Sequence, residues 1–301
     1  MTIAAAANRP TRSAPPTELP PKVNFGTLIT NTGRSVPSRY ILYAGEGWGK
    51  TSFGAQFPRP IFIETRGETG LETLIDARQL SEIPHFPETM SWLELLEQVD
   101  WLRTADHSFG TLIVDTANGA ERLLHEHVCH RDYDDKWGEK GFGAYQKGFE
   151  VSIADLTPLL AALDSLRIER RMTIVILAHR RITTVKNPVG ADYDAFIADL
   201  NKFTWGAISK WADCILYGDW EVQVGQVNEN KKTGARKGKA LEQSRIIRTE
   251  SSAAWIAKNR MGLPAEIEAD PSPEEAFKNF ADALREARQQ GRTAVQEGVD
   301  A

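Results

Sequence analysis

Only two cysteines, Cys129 and Cys214, occur in 301 residues, too few for a disulfide framework. Both sit in apolar-periodic segments, which reads as buried free thiols in a reducing compartment. No apolar run approaches the roughly 18 residues a membrane-crossing helix needs, and the start carries no signal-peptide pattern. The expectation is a cytoplasmic protein with no membrane partner. An excess of positive charge is missing as well: 36 Lys and Arg stand against 41 Asp and Glu, for a formal net charge of −5. Such a chain has no global field that draws nucleic acid, so any binding of that kind must come from local basic patches. Internal repeats are absent too.

What is present is an alternation of short apolar runs with helical patterns, which predicts an α/β fold with a mostly parallel central sheet flanked by helices. Expected strands are Tyr40–Tyr43, Pro60–Ile63, Thr111–Val114, Thr173–Ala178, Asp213–Tyr217 and Trp255–Ala257. Expected helices lie near Lys50–Gln56, Ser91–Thr104, Gly119–Cys129, Phe149–Arg170 and Pro271–Gln290. Asp132–Gly148 and Arg180–Phe203 read as irregular segments. Strands around Val222 and Ile246 flank a basic tip, Lys231–Lys239, as a long β-hairpin extension would. Residues 1–22 form an Ala- and Pro-rich lead expected to be disordered. Residues 23–268 read as the main domain and 269–301 as a C-terminal helix and tail.

Ala44-Gly45-Glu46-Gly47-Trp48-Gly49-Lys50-Thr51 follows the first strand and opens a helix, the setting of a phosphate-binding loop. Main-chain N–H groups of Gly45, Glu46, Gly47, Trp48 and Gly49 would surround phosphate oxygens, with Ser52 just inside the helix. Lys50 would reach the β- and γ-phosphates of ATP, and the Thr51 hydroxyl would ligate Mg²⁺. Ala44 stands where the first glycine is usual, a tolerable exchange where φ is negative. Asp115 ends the Leu112–Val114 run, as an acid that holds Mg²⁺ does. A carboxylate at a strand–helix junction also serves as an N-cap.

Hydrolysis needs an acid to orient water, and Glu64 and Glu68 both follow the second strand. Glu68, in a Gly-containing turn, is the favoured base. His179 ends the fourth strand, where a polar side chain would sense the γ-phosphate. His125, His127, His130 and Cys129 share one segment without a second ligand pair nearby, so a metal reading is weak. Lys258 and Arg260 are one residue apart and would point the same way on an extended chain. From there they would reach a phosphate in a neighbouring subunit.

The ordered set Y-A-G-E-G-W-G-K-T-S-F, P-I-F-I-E-T with E-T-G-L, T-L-I-V-D-T, M-T-I-V-I-L-A-H-R, W-A-D-C-I-L-Y-G and A-K-N-R-M-G-L-P resembles the phage AAA-type nucleotide-binding proteins, RecA-like core ATPases of single-strand annealing and recombination. The likeness spans roughly Ser38 to Pro264. It implies a RecA-like P-loop NTPase core, ATP and Mg²⁺ as cofactors, and Lys50, Thr51 and Asp115 in the nucleotide site. It also implies His179 as γ-phosphate sensor and Lys258 and Arg260 as a pair acting across subunits. Arg66 stands where the family shows an acid after F-I-x-T, with Glu68 two residues on. Two DNA-binding segments are implied. One carries Arg180, Arg181 and Lys186 with Tyr193 and Phe196; the other carries Lys136, Lys140 and Lys147 with Trp137, Phe142 and Tyr145. Cations there suit phosphates and aromatics suit base stacking. The function implied is ATP-dependent single-stranded-DNA annealing or strand exchange by a ring or filament of identical subunits, with a single-strand-binding protein as a further partner. A loader acting on a replication protein, and a nucleotide-binding module with little turnover, are the alternatives.

Overall fold

The computed structural model describes residues 36–224, 228–229, 236–237 and 240–299. Strand β1 (Arg39–Ala44) is buried along its length after Arg39 because it has neighbours on both sides. A strand covered on both faces needs a continuous apolar run rather than alternation, and Tyr40-Ile41-Leu42-Tyr43 supplies one. Its side chains divide by parity. Ile41 and Tyr43 enter the core on one face, and Tyr40, Leu42 and Ala44 enter the core on the other.

The chain continues through α1 (Lys50–Ala55), β2 (Pro60–Glu64), α2 (Gly70–Asp76), α3 (Trp92–Thr104), β3 (Thr111–Asp115) and α4 (Ala117–Tyr133). It then runs through α5 (Lys147–Val151), α6 (Ile153–Glu169), β4 (Thr173–Val185), β5 (Tyr193–Ala198), α7 (Lys202–Trp211) and β6 (Cys214–Val224). It ends with β7 (Asn228–Glu229), β8 (Arg236–Lys237), β9 (Ala240–Arg248), β10 (Lys258–Asn259), β11 (Glu266–Glu268) and α8 (Pro273–Val299). The main sheet has the order β11-β9-β6-β1-β4-β3-β2. From β6 to β2 it is parallel, and β9 and β11 extend it antiparallel. This is the expected α/β architecture. Helices α3, α4, α6 and α7 cover one face, and α1 and α8 cover the other, where Phe277 stacks near Phe57 and Phe280 near Tyr40, with ring centroids 4.8 and 5.5 Å apart.

Several expectations are corrected. The segment after His179 is not irregular. β4 leaves the sheet as a regular strand, carried by the β-branched run Ile182-Thr183-Thr184-Val185, and returns as β5 in an antiparallel hairpin. Asp192 braces the hairpin end by accepting from the Asn187 N–H at 3.1 Å and the Lys186 ammonium at 2.5 Å. The helix expected over 149–170 breaks at Ser152 into α5 and α6. Trp255–Ala257 forms no strand; Trp255 makes an isolated bridge to Phe196 instead. α4 and α8 both extend beyond their expected ends, Cys129 and Gln290. Of the basic tip, only Arg236–Lys237 falls among the described residues, as β8 paired with β7. The rest of the tip, and the lead 1–22, lie outside them.

Gly218 of β6 shows how tightly the sheet holds the loop after β1. A Cβ there would stand 2.7 Å from ring carbons of Trp48 and 2.8 Å from the Ala44 Cβ. Neither neighbour has room to retreat, since both are buried. Gly218→Ala is therefore expected to lower the unfolding free energy by about 1–3 kcal/mol, read as a shifted urea midpoint with unchanged slope.

Candidate active site

β1 ends at Ala44, inside the strand, so the absent first glycine brings no backbone strain there. The loop that follows turns through Gly47 (φ 72°) and Gly49 (φ 99°), a left-handed region that costs glycine little and other residues more. Glu46 and Gly47 are exposed. The Trp48 indole turns away from the loop into the core. Its Nε1 donates to the Asp219 carbonyl at 3.0 Å, so a contact from Trp48 to nucleotide is limited to its main chain. It pins the loop to β6.

Lys50 and Thr51 open α1. Lys50 is 8 % exposed, and its ammonium folds back on the loop, donating to the carbonyls of Gly45 at 3.2 Å and Ala44 at 3.4 Å. Burial pushes its pKa down, opposed by Asp115, Glu68 and Glu46. Thr51 Oγ1 donates to Asp115 Oδ2 at 2.7 Å. Asp115, at the end of β3, is buried, and burial lifts its carboxyl to about 6 against the Thr51 hydrogen bond. A hydroxyl and a buried acid in contact are an oxygen donor set that suits a small hard cation such as Mg²⁺. A cation there would also relieve the desolvated carboxylate.

Glu68 and Glu64 are separated clearly. Glu68 Oε1 accepts from Thr116 Oγ1 at 3.0 Å and lies 3.6 Å from His179 Nε2. The His179 contact, helped by Thr116 and opposed by burial, holds its carboxyl below the usual range. Glu64 sits beside Asp115 in the β2–β3 register. Its carboxylate accepts from the Leu71 N–H at 3.3 Å and lies 3.8 Å from His85 Nδ1. Burial pushes its pKa up. Glu68, Lys50, Thr51, Ser52, Asp115 and His179 line one cleft of about 590 Å³, and Glu64 is not among its walls. The His179 N–H donates to Asn118 Oδ1 at 2.8 Å, which ties the end of the sheet portion of β4 to α4.

Among the residues of this cleft outside the expected set are Thr116, Arg245 and Pro273. Thr116 had a weak signal, a hydroxyl directly after the strand-end acid. Its Oγ1 also caps α4 by accepting from the Gly119 N–H at 3.3 Å. Arg245 and Pro273 had none, because they come from β9 and α8, far along the chain from the loop.

The residues assigned to DNA divide into engaged and free. Arg180 is engaged: NH1 donates to the Tyr217 hydroxyl at 2.6 Å, the guanidinium lies 4.6 Å over the Phe196 ring, and Asp219 is 3.6 Å away. Phe196 stacks on Tyr217 at 5.6 Å, and Phe142 is fully buried among Tyr133, Trp137 and Phe149. In this structure these three side chains are packing elements, not a DNA surface. Arg181 pairs with Asp199 at 3.3 Å. Lys186, Tyr193, Lys136 and Lys140 remain at the surface, with Lys186 and Lys136 in exposed ion pairs to Asp192 and Asp134.

Within this chain the side chains of Lys258 and Arg260 have different surroundings. The Lys258 ammonium donates to the carbonyls of Ser209, Lys210 and Ala212 at 2.8, 3.1 and 2.5 Å. It thereby satisfies main-chain acceptors left open at the C-terminus of α7. Arg260, just past β10, is exposed and has no ion pair among the described residues. The chain turns between them because Asn259 Oδ1 accepts from the N–H groups of Met261 and Leu263. His125 of the histidine run is buried against Phe142 and Phe149, and burial lowers its pKa to about 4.

No curated protein matches the chain. Among solved structures, the crystal structure of the RadB recombinase is similar with a TM-score of 0.43 and 12% identity, over 79% of this chain and 90% of that one. A family model described as an AAA domain matches residues 37–261, from just before β1 to just past β10. That span holds the glycine loop, Asp115, Glu68 and His179, and the chain belongs to the AAA domain family.

Proposed function

We propose that this AAA-domain chain hydrolyses ATP with Mg²⁺ and uses the cycle to bind and release single-stranded DNA in recombination, by annealing or strand exchange. The observation that carries the reading is the closure of Lys50, Thr51, Asp115, Glu68 and His179 on one cleft. Lys50 would exchange the Ala44 and Gly45 carbonyls for phosphate oxygens. Thr51 and Asp115 would hold Mg²⁺, which neutralises charge on the phosphates when bound. Glu68, kept ionised by His179 and Thr116, would align the attacking water and accept its proton.

The output would run through β4. His179 touches Glu68 and lies in the same strand as Arg181, and Lys186 directly follows the end of that strand. Loss of the γ-phosphate would thus be felt at the hairpin directly. Exposed Lys186 and Tyr193 there, with Lys136 and Lys140 after α4, suit a phosphate backbone and stacked bases. Unpaired Arg260 is the candidate for reaching the nucleotide of a neighbouring copy in a ring or filament.

Phosphate release measured with and without single-stranded oligonucleotide, beside mobility shifts with and without ATP, tests this. Turnover should rise with DNA, and DNA retention should rise with ATP. Tyr193→Ala should weaken retention about 5- to 100-fold, the range of one base–aromatic stack. No shift at low salt in either nucleotide state would remove DNA as the partner while leaving the ATPase reading intact.

A further inference from the structure

Arg245 is the cation of the cleft that the hydrolytic set does not use. It sits in β9, opposite Trp220 of β6 in the strand register. In sheet order β9 lies on one side of β1 and β3, which ends in Asp115, on the other. Its guanidinium is fixed at two nitrogens. Nε donates to Asp270 Oδ1 at 2.8 Å and NH2 donates to the Pro271 carbonyl at 2.8 Å. The Arg245 main-chain N–H donates to the other oxygen of Asp270 at 2.6 Å, and the Trp220 ring lies 5.8 Å below. NH1 makes no hydrogen bond among the described residues. It lies 3.5 Å from where a Cβ on Gly49 would stand, directed at the glycine loop and along the cleft wall.

An arginine held this way has already lost most of its rotamer freedom, so a ligand that meets its free nitrogen incurs little further ordering cost. Its place also fixes what it can meet. Glu68, His179 and Asp115 mark the γ-phosphate end, so the wall across β1 faces the other end of the triphosphate. We infer that Arg245 is a second phosphate-binding cation of the site, contributed in cis by β9 and directed at the α-phosphate of a bound nucleotide, with Asp270 as its positioning residue. The assignment rests on reading the cleft as a nucleotide site.

Calorimetric titration of the full chain with Mg-ADP and with inorganic pyrophosphate tests it. Arg245→Gln should weaken ADP about 10-fold or more, the scale of one charge-assisted hydrogen bond, and leave pyrophosphate within 2-fold. Asp270→Asn should weaken ADP by a smaller factor, again without effect on pyrophosphate. Nucleotide-free melting checks that each variant folds. If Arg245→Gln does not fold, Arg245→Lys replaces it, since a lysine keeps the charge but has one nitrogen, which cannot hold Asp270 and Pro271 and also reach toward the glycine loop as a separate NH1 does; an intermediate loss for ADP is expected. Unchanged ADP affinity in the folded variant overturns the assignment, as does an equal loss for pyrophosphate. A wild-type chain that binds neither probe overturns the site reading and the assignment together.

Discussion

Lys50→Ala is expected to reduce ATP turnover by about 100-fold or more, the scale of deleting one preorganised group aimed at developing transition-state charge, and to weaken ATP binding with it. Stability should respond in the opposite sense. In the nucleotide-free protein the ammonium is buried and its pKa is pushed down, so the folded state bears a desolvation cost. Among the described residues its hydrogen bonds there are to two main-chain carbonyls, at 3.2 and 3.4 Å, and the attraction of Asp115, Glu68 and Glu46 offsets the burial in part. Removing a cation held by such long contacts should leave the melting temperature unchanged or raise it. A phosphate-release assay paired with nucleotide-free melting measures both. A variant that loses turnover because it has unfolded would appear as a lowered melting temperature.

Glu68→Gln should lower turnover by about 100- to 10,000-fold, the range for removing a general base, with ATP still bound. Glutamine keeps the shape and can still accept from Thr116, but it cannot take a proton from water. Glu64→Gln is the internal control. Its carboxylate faces the Leu71 N–H and His85 rather than the cleft, so a change of only a few-fold is expected. Single-turnover kinetics separate chemistry from binding. If Glu68→Gln turns over normally, the base lies elsewhere and the Glu68–Thr116–His179 contacts are structural.

The sequence made the strand-end chemistry legible because that chemistry is local. A glycine loop between a strand and a helix, an acid at the end of β3 and a histidine on β4 are each defined by a few neighbours. Orientation was not legible. Arg180, Phe196 and Phe142 have the residue types of a DNA surface, yet Arg180 lies over Phe196 and beside Tyr217, and Phe142 closes an aromatic cluster. Lys258 looked like half of a cationic pair and instead caps α7, a helix some fifty residues earlier in the chain. The hairpin of β4 and β5 was missed because its Thr-rich, half-exposed strand lacks the apolar run that marks a sheet strand. Arg245 was invisible for a different reason: it enters the cleft only through the long return of β9 beside β6.

β4 passes without interruption from the sheet into the hairpin, and His179 sits where it leaves. From His179 to Val185, its last residue, the strand advances roughly 20 Å at about 3.3 Å per residue. Arg180, pressed against Gly45, lies close to the near end. The geometry is that of a lever with a short arm at Glu68 and a long arm at the hairpin end. A tilt of about 5° about His179 would carry Val185 roughly 1.7 Å over that length. A rearrangement at Glu68 or the glycine loop that tilts the strand would therefore be enlarged toward the outer surface, with no break in the strand between them.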